Sequence, residues 1–209
     1  MKHPAILHIS KVDPVMKRLV REIGPYVLEP ESLQQPFEAL VRAVAHQQLH
    51  GKAATTILNR FIALFPGKKF PRPADLATVS DEAIRAAGFS GAKVASIRDI
   101  AAKTLTGIVP SPRKIKTMAD DEIVERLTEV RGVGRWTVEM LLIFKWGRPD
   151  VLPADDFGVR NGFRVAYGLS QMPKVKDLLA HGESWRPFRT AASWYLWRAA
   201  DRSKIVAAK

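Results

Sequence analysis

Apolar residues recur along most of this chain at intervals of three and four, the spacing that places them on one face of an α-helix. The spacing is clearest over residues 37–49, where Leu49 is the last apolar position, and over residues 57–64. The alternation typical of half-buried β-strands is essentially missing. The pattern therefore predicts an all-α protein without internal repeats.

Capping residues and glycines delimit the further helices. Serine and aspartate favour helix starts, while glycine favours the position just after a helix end. On this basis we predict helices between Ser80 and Gly88, from Ser90 to Thr106, from Asp120 or Asp121 onward, from Trp136 through Phe144, and over FGVRNGFRVAYG.

Charge and composition narrow the range of possible functions. The 209 residues carry 33 Lys and Arg against 21 Asp and Glu, a formal net charge of +12, which favours a polyanionic partner such as nucleic acid. The absence of cysteine excludes disulfides, thiolate zinc sites and cysteine-ligated iron–sulfur clusters. We expect neither a signal peptide nor a membrane anchor. A nucleic-acid partner would place the protein in the cytoplasm and nucleoid of a bacterium or in the nucleus of a eukaryote.

A glycine-containing hairpin, RGVGRW at residues 131–136, lies between two predicted helices. Gly132 and Gly134 can both adopt positive φ, and the following helix begins with unpaired N–H groups at its positive dipole end. Such N–H groups suit a phosphate and would read no base sequence. The alternative is a plain glycine cap between antiparallel helices.

The surrounding sequence resembles a known family. LTEVRGVGRWTVEMLLIF followed by GRPDVLPADDF resembles the helix-hairpin-helix DNA glycosylase superfamily. PFEALVRAVAHQQLHGKAA, GFSGAK and PFRTAASWYLWR extend the likeness over most of the chain, toward the DNA-3-methyladenine glycosylases of bacterial and yeast type.

The resemblance implies a two-lobed, wholly helical fold with the active-site cleft between the lobes. Residues 1–35 would pack with a C-terminal lobe of residues 139–209, which carries the catalytic aspartate. Residues 36–138 would form the other lobe, with the helix-hairpin-helix at 121–146.

The family's catalytic aspartate falls on Asp156, where a carboxylate would stabilise the positive charge that develops on the deoxyribose and help to position water. Asp155 is the second candidate, for catalysis, for orientation or for capping the next helix. The alternative for both is that they only cap the helix that follows.

Position 136 distinguishes two kinds of superfamily member. Bifunctional members have a nucleophilic lysine directly after the hairpin, where this chain has Trp136. The resemblance therefore implies a monofunctional enzyme without lyase activity, which flips and excises 3-methyladenine and 7-methylguanine and leaves an abasic site. Ethenoadenine and hypoxanthine are further candidate substrates. Trp136, Phe144 and Trp197 would line the base pocket, while Trp185 and Trp194 would serve packing.

The resemblance also assigns contacts with double-stranded DNA. Gln48 would fill the space left by the flipped base, His50 would lie in the minor groove, and Ser90 would contact the opposite strand. At the hairpin, Gly132, Gly134 and Arg135 would meet the phosphates. Basic residues near these elements are candidate phosphate neighbours, with a solvated surface charge as the alternative for each: Lys52, Lys93, Arg131, Arg135, Arg160 and Arg164. Arg189 is instead expected to form a structural ion pair.

We predict no required cofactor and no iron–sulfur cluster. The family hairpin commonly holds Na⁺ or K⁺ through backbone carbonyls, which would belong here to Thr128, Val130 and Val133. We expect a monomer that does not bind membranes.

Three other functions stay open at this point. The first is a non-catalytic helix-hairpin-helix protein that binds damaged or abasic DNA. The second is a bifunctional glycosylase/lyase for oxidised bases, against which Trp136 argues. RNA binding is a weaker third, permitted by charge alone.

Overall fold

The computed structural model describes residues 3–31 and 35–207. Over these residues the regular structure is helical throughout, which confirms the all-α prediction. None of the described helices combines the length and the apolarity needed to cross a bilayer. The α-helices are α1 (Pro4–Val12), α2 (Pro14–Ile23), α3 (Pro36–His46), α4 (Gly51–Ala63), α5 (Asp81–Ala86), α6 (Gly91–Leu105), α7 (Pro112–Thr117), α8 (Asp120–Thr128), α9 (Arg135–Phe144), α10 (Phe157–Tyr167), α11 (Val175–Gly182) and α12 (Arg189–Ala207), with short 3₁₀ helices at Pro73–Thr78 and Glu183–Trp185.

The helix starts follow local capping chemistry. α1, α2, α3 and α7 each begin with proline, whose missing N–H costs nothing at that position. Ser80, Ser90 and Ser111 accept a hydrogen bond from a first-turn N–H of the helix that each precedes. Two boundaries differ from prediction: α3 ends at His46, so Leu49 lies outside it, and α9 begins one residue before Trp136.

The described chain folds as two compact units. Unit 1 contains the residues up to Glu31 together with those from Leu142 onward, and unit 2 contains the described residues between them. The second boundary falls within α9.

Unit 1 is organised around the packing of α10 against α12, on which α1 and α2 also pack. A Cβ built on Gly162 in α10 would lie 1.9 Å from the carbonyl oxygen of Leu196 in α12. Only a residue without a side chain permits this helix–helix distance. Trp185 and Tyr195 are fully buried in the same core.

Unit 2 packs α3 against α6 and α4. Its core includes Leu40 on α3, Phe61 on α4, and Ile97 and Ile100 on α6, each of which has no exposed surface. Leu40 and Phe61 belong to the three-and-four spacing of residues 37–49 and 57–64, which predicts that they are buried.

A buried carboxylate ties α2 to the C-terminal helices of unit 1. Asp13 is 3% exposed; its Oδ1 accepts hydrogen bonds from the first-turn N–H groups of α2. Its Oδ2 accepts from the Tyr167 hydroxyl and, at 2.9 Å, the Trp185 indole N–H, and lies 3.0 Å from His181 Nε2. Burial alone would raise the pKa of Asp13, but these bonds outweigh it and lower the pKa below its ordinary value.

Replacing Asp13 with asparagine is expected to lower the free energy of unfolding by about 2 kcal/mol at pH 7, because a charged acceptor of several buried donors is lost. A lowered carboxyl pKa stabilises the fold above the unfolded-state pKa of about 4 and ceases to do so as pH falls through the folded-state value. Chemical denaturation should therefore show the difference between the two proteins shrinking below about pH 4.

Asp177→Asn is the control, since Asp177 is exposed in the first turn of α11. It should change the free energy of unfolding by less than about 0.5 kcal/mol. A deficit in Asp13→Asn that stays constant in acid would contradict the ionic origin of this stabilisation.

Candidate active site

Asp156 occupies the turn that leads into α10, in unit 1. It is the N-cap residue, and its Oδ1 accepts a 2.8 Å hydrogen bond from the Val159 N–H. The same oxygen accepts a second 2.8 Å bond from the indole N–H of Trp197. Two donors from separate helices therefore fix the orientation of this carboxylate.

Asp155 lies in a different environment. Its side chain is 83% exposed and lies 3.9 Å from Arg160. The capping role considered for Asp155 belongs instead to Asp156, since only Asp156 directly precedes the first helical residue and reaches the first-turn N–H.

An aromatic pair borders Asp156. The rings of Phe144 and Trp197 stack with centroids 5.6 Å apart and planes inclined by 29°. Gly158 makes the arrangement sterically feasible, since a Cβ there would lie 2.8 Å from Trp197 Cδ1 and 3.1 Å from Asp156 Oδ1. Sequence patterns did not single out Gly158; its position two residues after the aspartate was the available signal.

The other tryptophans separate by burial. Trp185 and Trp194 belong to the core of unit 1, at 0% and 8% exposure, as expected of packing residues. Trp136 is 50% exposed on the first turn of α9. A half-exposed indole can stack on a base.

The glycine hairpin joins α8 to α9. Gly132 has a φ of +76°, and a Cβ there would lie 2.5 Å from Ser96 Oγ. Gly134 does not adopt a positive φ: it leads directly into α9, and its carbonyl accepts the Val138 N–H of that helix. No atom lies within 4 Å of a Cβ built on Gly134, so this side of the hairpin is open.

The hairpin carbonyls lie where a helix ends. Thr128 is the last residue of α8, and helix C-termini carry carbonyls without intrahelical partners. The Val130 carbonyl accepts the Val133 N–H at 3.0 Å, which leaves it a second lone pair. Backbone carbonyl oxygens such as these and that of Val133 are the type of ligand that a hard cation prefers.

Gln48 and His50 lie in the turn that connects α3 to α4 in unit 2. Gln48 is exposed and has a φ of +57°; it is the only non-glycine residue among those described with a positive φ. His50 is the N-cap residue of α4, and its exposed side chain forms no capping bond. In residues 3–31 and 35–207, no group of three His, Cys, Asp or Glu side chains could hold a metal ion.

Ser90 and Arg135 start the two helices near the hairpin. Ser90 is the N-cap residue of α6, and its Oγ accepts the Lys93 N–H at 3.4 Å. Arg135 is the first residue of α9, exposed and 3.7 Å from Glu139. Both side chains lie at the protein surface.

Several predicted phosphate neighbours have partners within the protein. Lys93 Nζ donates to the carbonyls of Ala45 and Gln47, so the phosphate role predicted for Lys93 is replaced by a structural one. Arg160 donates to the carbonyl of Pro173, which turns its guanidinium toward the protein.

The other basic residues are exposed or form contacts within unit 1. Lys52 and Arg131 are exposed. Arg164 donates to Asn161 Oδ1 on its own helix at 3.1 Å. Arg189 forms a 2.8 Å ion pair with Asp150, which confirms its structural role.

Comparison with known proteins identifies close relatives. Residues 41–187 match the family model described as "HhH-GPD superfamily base excision DNA repair protein". The chain is 44% identical to DNA-3-methyladenine glycosylase 1 of Schizosaccharomyces pombe, over 98% of this chain and 92% of that protein.

Solved structures give the same result. The structure of the S. pombe 3-methyladenine DNA glycosylase in complex with abasic DNA matches with a TM-score of 0.80 at 44% identity, covering 94% of this chain and 96% of that one. A DNA-3-methyladenine glycosidase from Bacillus halodurans matches with a TM-score of 0.87 at 34% identity, covering 95% of this chain and 89% of that one.

Proposed function

The chain belongs to the HhH-GPD superfamily of base excision DNA repair proteins, and from this premise we propose that it is a monofunctional DNA glycosylase for alkylated purines. It acts on double-stranded DNA, hydrolyses the bond between the altered base and the deoxyribose, and leaves an abasic site. 3-Methyladenine is the base in the names of its relatives, and we propose 7-methylguanine as a second substrate because it is cationic in the same way.

The orientation of Asp156 carries this proposal. Cleavage of the N-glycosidic bond builds positive charge on the sugar, as in glycoside hydrolysis, and a fixed carboxylate lowers the barrier by stabilising that charge. The bonds from Val159 and Trp197 hold Asp156 in place before the reaction begins. A 3- or 7-alkylated purine is already cationic and leaves as a neutral base, so the reaction does not require a strong general acid.

The residue that follows the hairpin argues against strand cleavage. A lyase needs an amine that can form a Schiff base with the sugar, and Trp136 offers none. Lys145, farther along the chain, is ion-paired with Glu31 and only 19% exposed. Water is therefore the nucleophile, and the product strand stays intact.

DNA binding rests on unit 2 in this proposal. The N–H groups at the start of α9 bind a phosphate, aided by the Arg135 side chain. Gln48 fills the gap behind the flipped base, with His50 in the minor groove and Ser90 against the other strand. A monovalent cation held by the carbonyls of Thr128, Val130 and Val133 would add positive charge beside that phosphate.

Aromatic side chains are proposed to recognise the altered base once it has been flipped out of the duplex. Phe144 and Trp197, which stack on each other beside Asp156, are proposed to receive the extruded base, and an electron-poor alkylated ring stacks well on an indole. Trp136, half-exposed on α9, is a further aromatic candidate. The protein works where the DNA is: the cytoplasm and nucleoid of a bacterium, or the nucleus of a eukaryote.

The test is release of free base from methylated duplex DNA by the purified protein. We expect methylpurines to be released and the strands to break only after alkali, with no release from unmethylated DNA. Binding without base release would instead identify a damage-binding protein. Strand breakage without alkali, or trapping of the protein on DNA by borohydride, would overturn the monofunctional assignment.

A further inference from the structure

The turn that carries Gln48 is strained. Its φ of +57° places a long side chain in the left-handed region, which residues other than glycine, asparagine and aspartate rarely adopt. Such a conformation persists only where surrounding contacts hold it, and these conformations cluster at functional positions. The contacts on either side of Gln48 identify what holds it.

Lys93 binds the chain directly before Gln48. Its Nζ donates to the Ala45 carbonyl at 3.0 Å and to the Gln47 carbonyl at 2.7 Å. Both carbonyls lie at the C-terminal end of α3, where backbone oxygens lack intrahelical partners and a cation is favoured. Burial lowers the pKa of this partly buried amine, and two charge-assisted bonds compensate for its desolvation.

Gln47 connects the same turn to the hairpin. Its side-chain Nε2 donates to the Gly132 carbonyl at 2.9 Å. The turn and the hairpin are thus joined by a direct hydrogen bond within unit 2.

One face of α6 supports both segments. Ser96 and Asp99 follow Lys93 at successive intervals of three residues, which places all three on one side of the helix. Ser96 Oγ lies against Gly132, and Asp99 Oδ2 accepts the Arg131 N–H at 2.7 Å. The helix that holds the Gln48 turn through Lys93 therefore also holds the hairpin.

We propose that Lys93 and Gln47 are positioning residues that hold the Gln48 turn in register with the phosphate-binding hairpin. When the hairpin engages a phosphate, Gln48 is then already placed to enter the duplex. This inference rests on the proposed glycosylase function and on Gln48 as the residue that fills the gap.

The test is a double-mutant cycle of Lys93→Met with Gln48→Ala, read as single-turnover release of methylpurine from methylated duplex DNA at saturating protein. Lys93→Met should slow release about tenfold while Gln48 is present, and by less than about twofold in Gln48→Ala, because a positioning residue acts only through the residue that it places. Lys93→Arg keeps the donors and should restore most of the rate.

Salt dependence separates positioning from a direct phosphate contact. Loss of a phosphate contact reduces the salt slope of DNA binding by about one, whereas loss of a positioning lysine should leave the slope unchanged. A reduced slope, an equal loss of rate in both backgrounds, or no loss in either would overturn the inference.

A second variant keeps the inference testable if the Lys93→Met protein does not fold fully. If Lys93→Met lowers the unfolding midpoint enough to reduce the folded fraction, Gln47→Met removes only the partly exposed amide that bonds Gly132 and should show the same dependence on Gln48. The proposed function is judged separately, by base release from the unaltered protein. If that release occurs, the cycle alone decides the positioning role.

Discussion

Replacing Asp156 with asparagine is expected to slow release of methylpurines by about a hundred- to a thousandfold, since the variant loses the charge that stabilises the developing sugar cation. Asparagine keeps an oxygen that can accept the N–H groups of Val159 and Trp197, and it is itself a good N-cap residue. The unfolding midpoint and the affinity for DNA should therefore change little. The measurement is single-turnover base release at equal DNA occupancy.

Asp155→Asn is the matched control. It makes the same change in net charge at the adjacent position, on a side chain that is 83% exposed. Its rate should fall by less than about threefold, because exposed charges are screened by solvent. A large loss in Asp155→Asn with full activity in Asp156→Asn would reverse the assignment of the two carboxylates.

Replacing Gly162 with alanine is expected to have the largest effect on stability, a loss of about 3 kcal/mol or more. The added Cβ would lie 1.9 Å from the Leu196 carbonyl oxygen, and backbone cannot move aside as a flexible side chain can. α10 and α12 must separate, which disturbs the main helix packing of unit 1. The unfolding midpoint in thermal denaturation should fall by about 6 °C or more.

Gly91→Ala tests whether the effect is specific. Gly91 is the first residue of α6, and a Cβ there meets no atom within 4 Å. This variant should be neutral or slightly more stable, because alanine reduces the freedom of the unfolded chain. A Gly162→Ala protein as stable as Gly91→Ala would contradict the close approach of the two helices.

Local signals account for what the sequence predicted correctly. The spacing of apolar residues specified the helical class, and the serine, aspartate and glycine positions placed most boundaries of the helices that were predicted to within a residue or two. These features succeed because capping and amphipathicity depend on neighbours within one or two helical turns. The error at Leu49 has the same origin: Leu49 lies just beyond a helix end, where spacing alone does not specify the backbone angle.

The resemblance directed attention to Asp156 and Trp197 but not to the bond between them. The two residues are 41 positions apart in the chain, and their hydrogen bond depends on Gly158 leaving room for the indole. The pattern of α12 marks Trp197 only as an aromatic residue near apolar neighbours.

Lys93 shows that sequence context also fails to assign the role of a charged residue. Its sequence context, in a basic chain and close to a predicted DNA contact, favours a phosphate contact. In the folded protein its amine lies within reach of carbonyls 46 and 48 residues away. A lysine has no sequence signature that separates these two uses, because both require only a positive charge on a long side chain.

Residue identity and short-range spacing therefore specified the helical class and the hairpin, while the resemblance to the glycosylase superfamily implied the candidate carboxylate and the lack of a lyase amine. Tertiary structure decided which aspartate caps α10, which indole orients it, how Asp13 is satisfied and what holds Gln48. Those outcomes depend on packing between helices distant in the chain, where a close approach at one glycine determines which polar groups can meet.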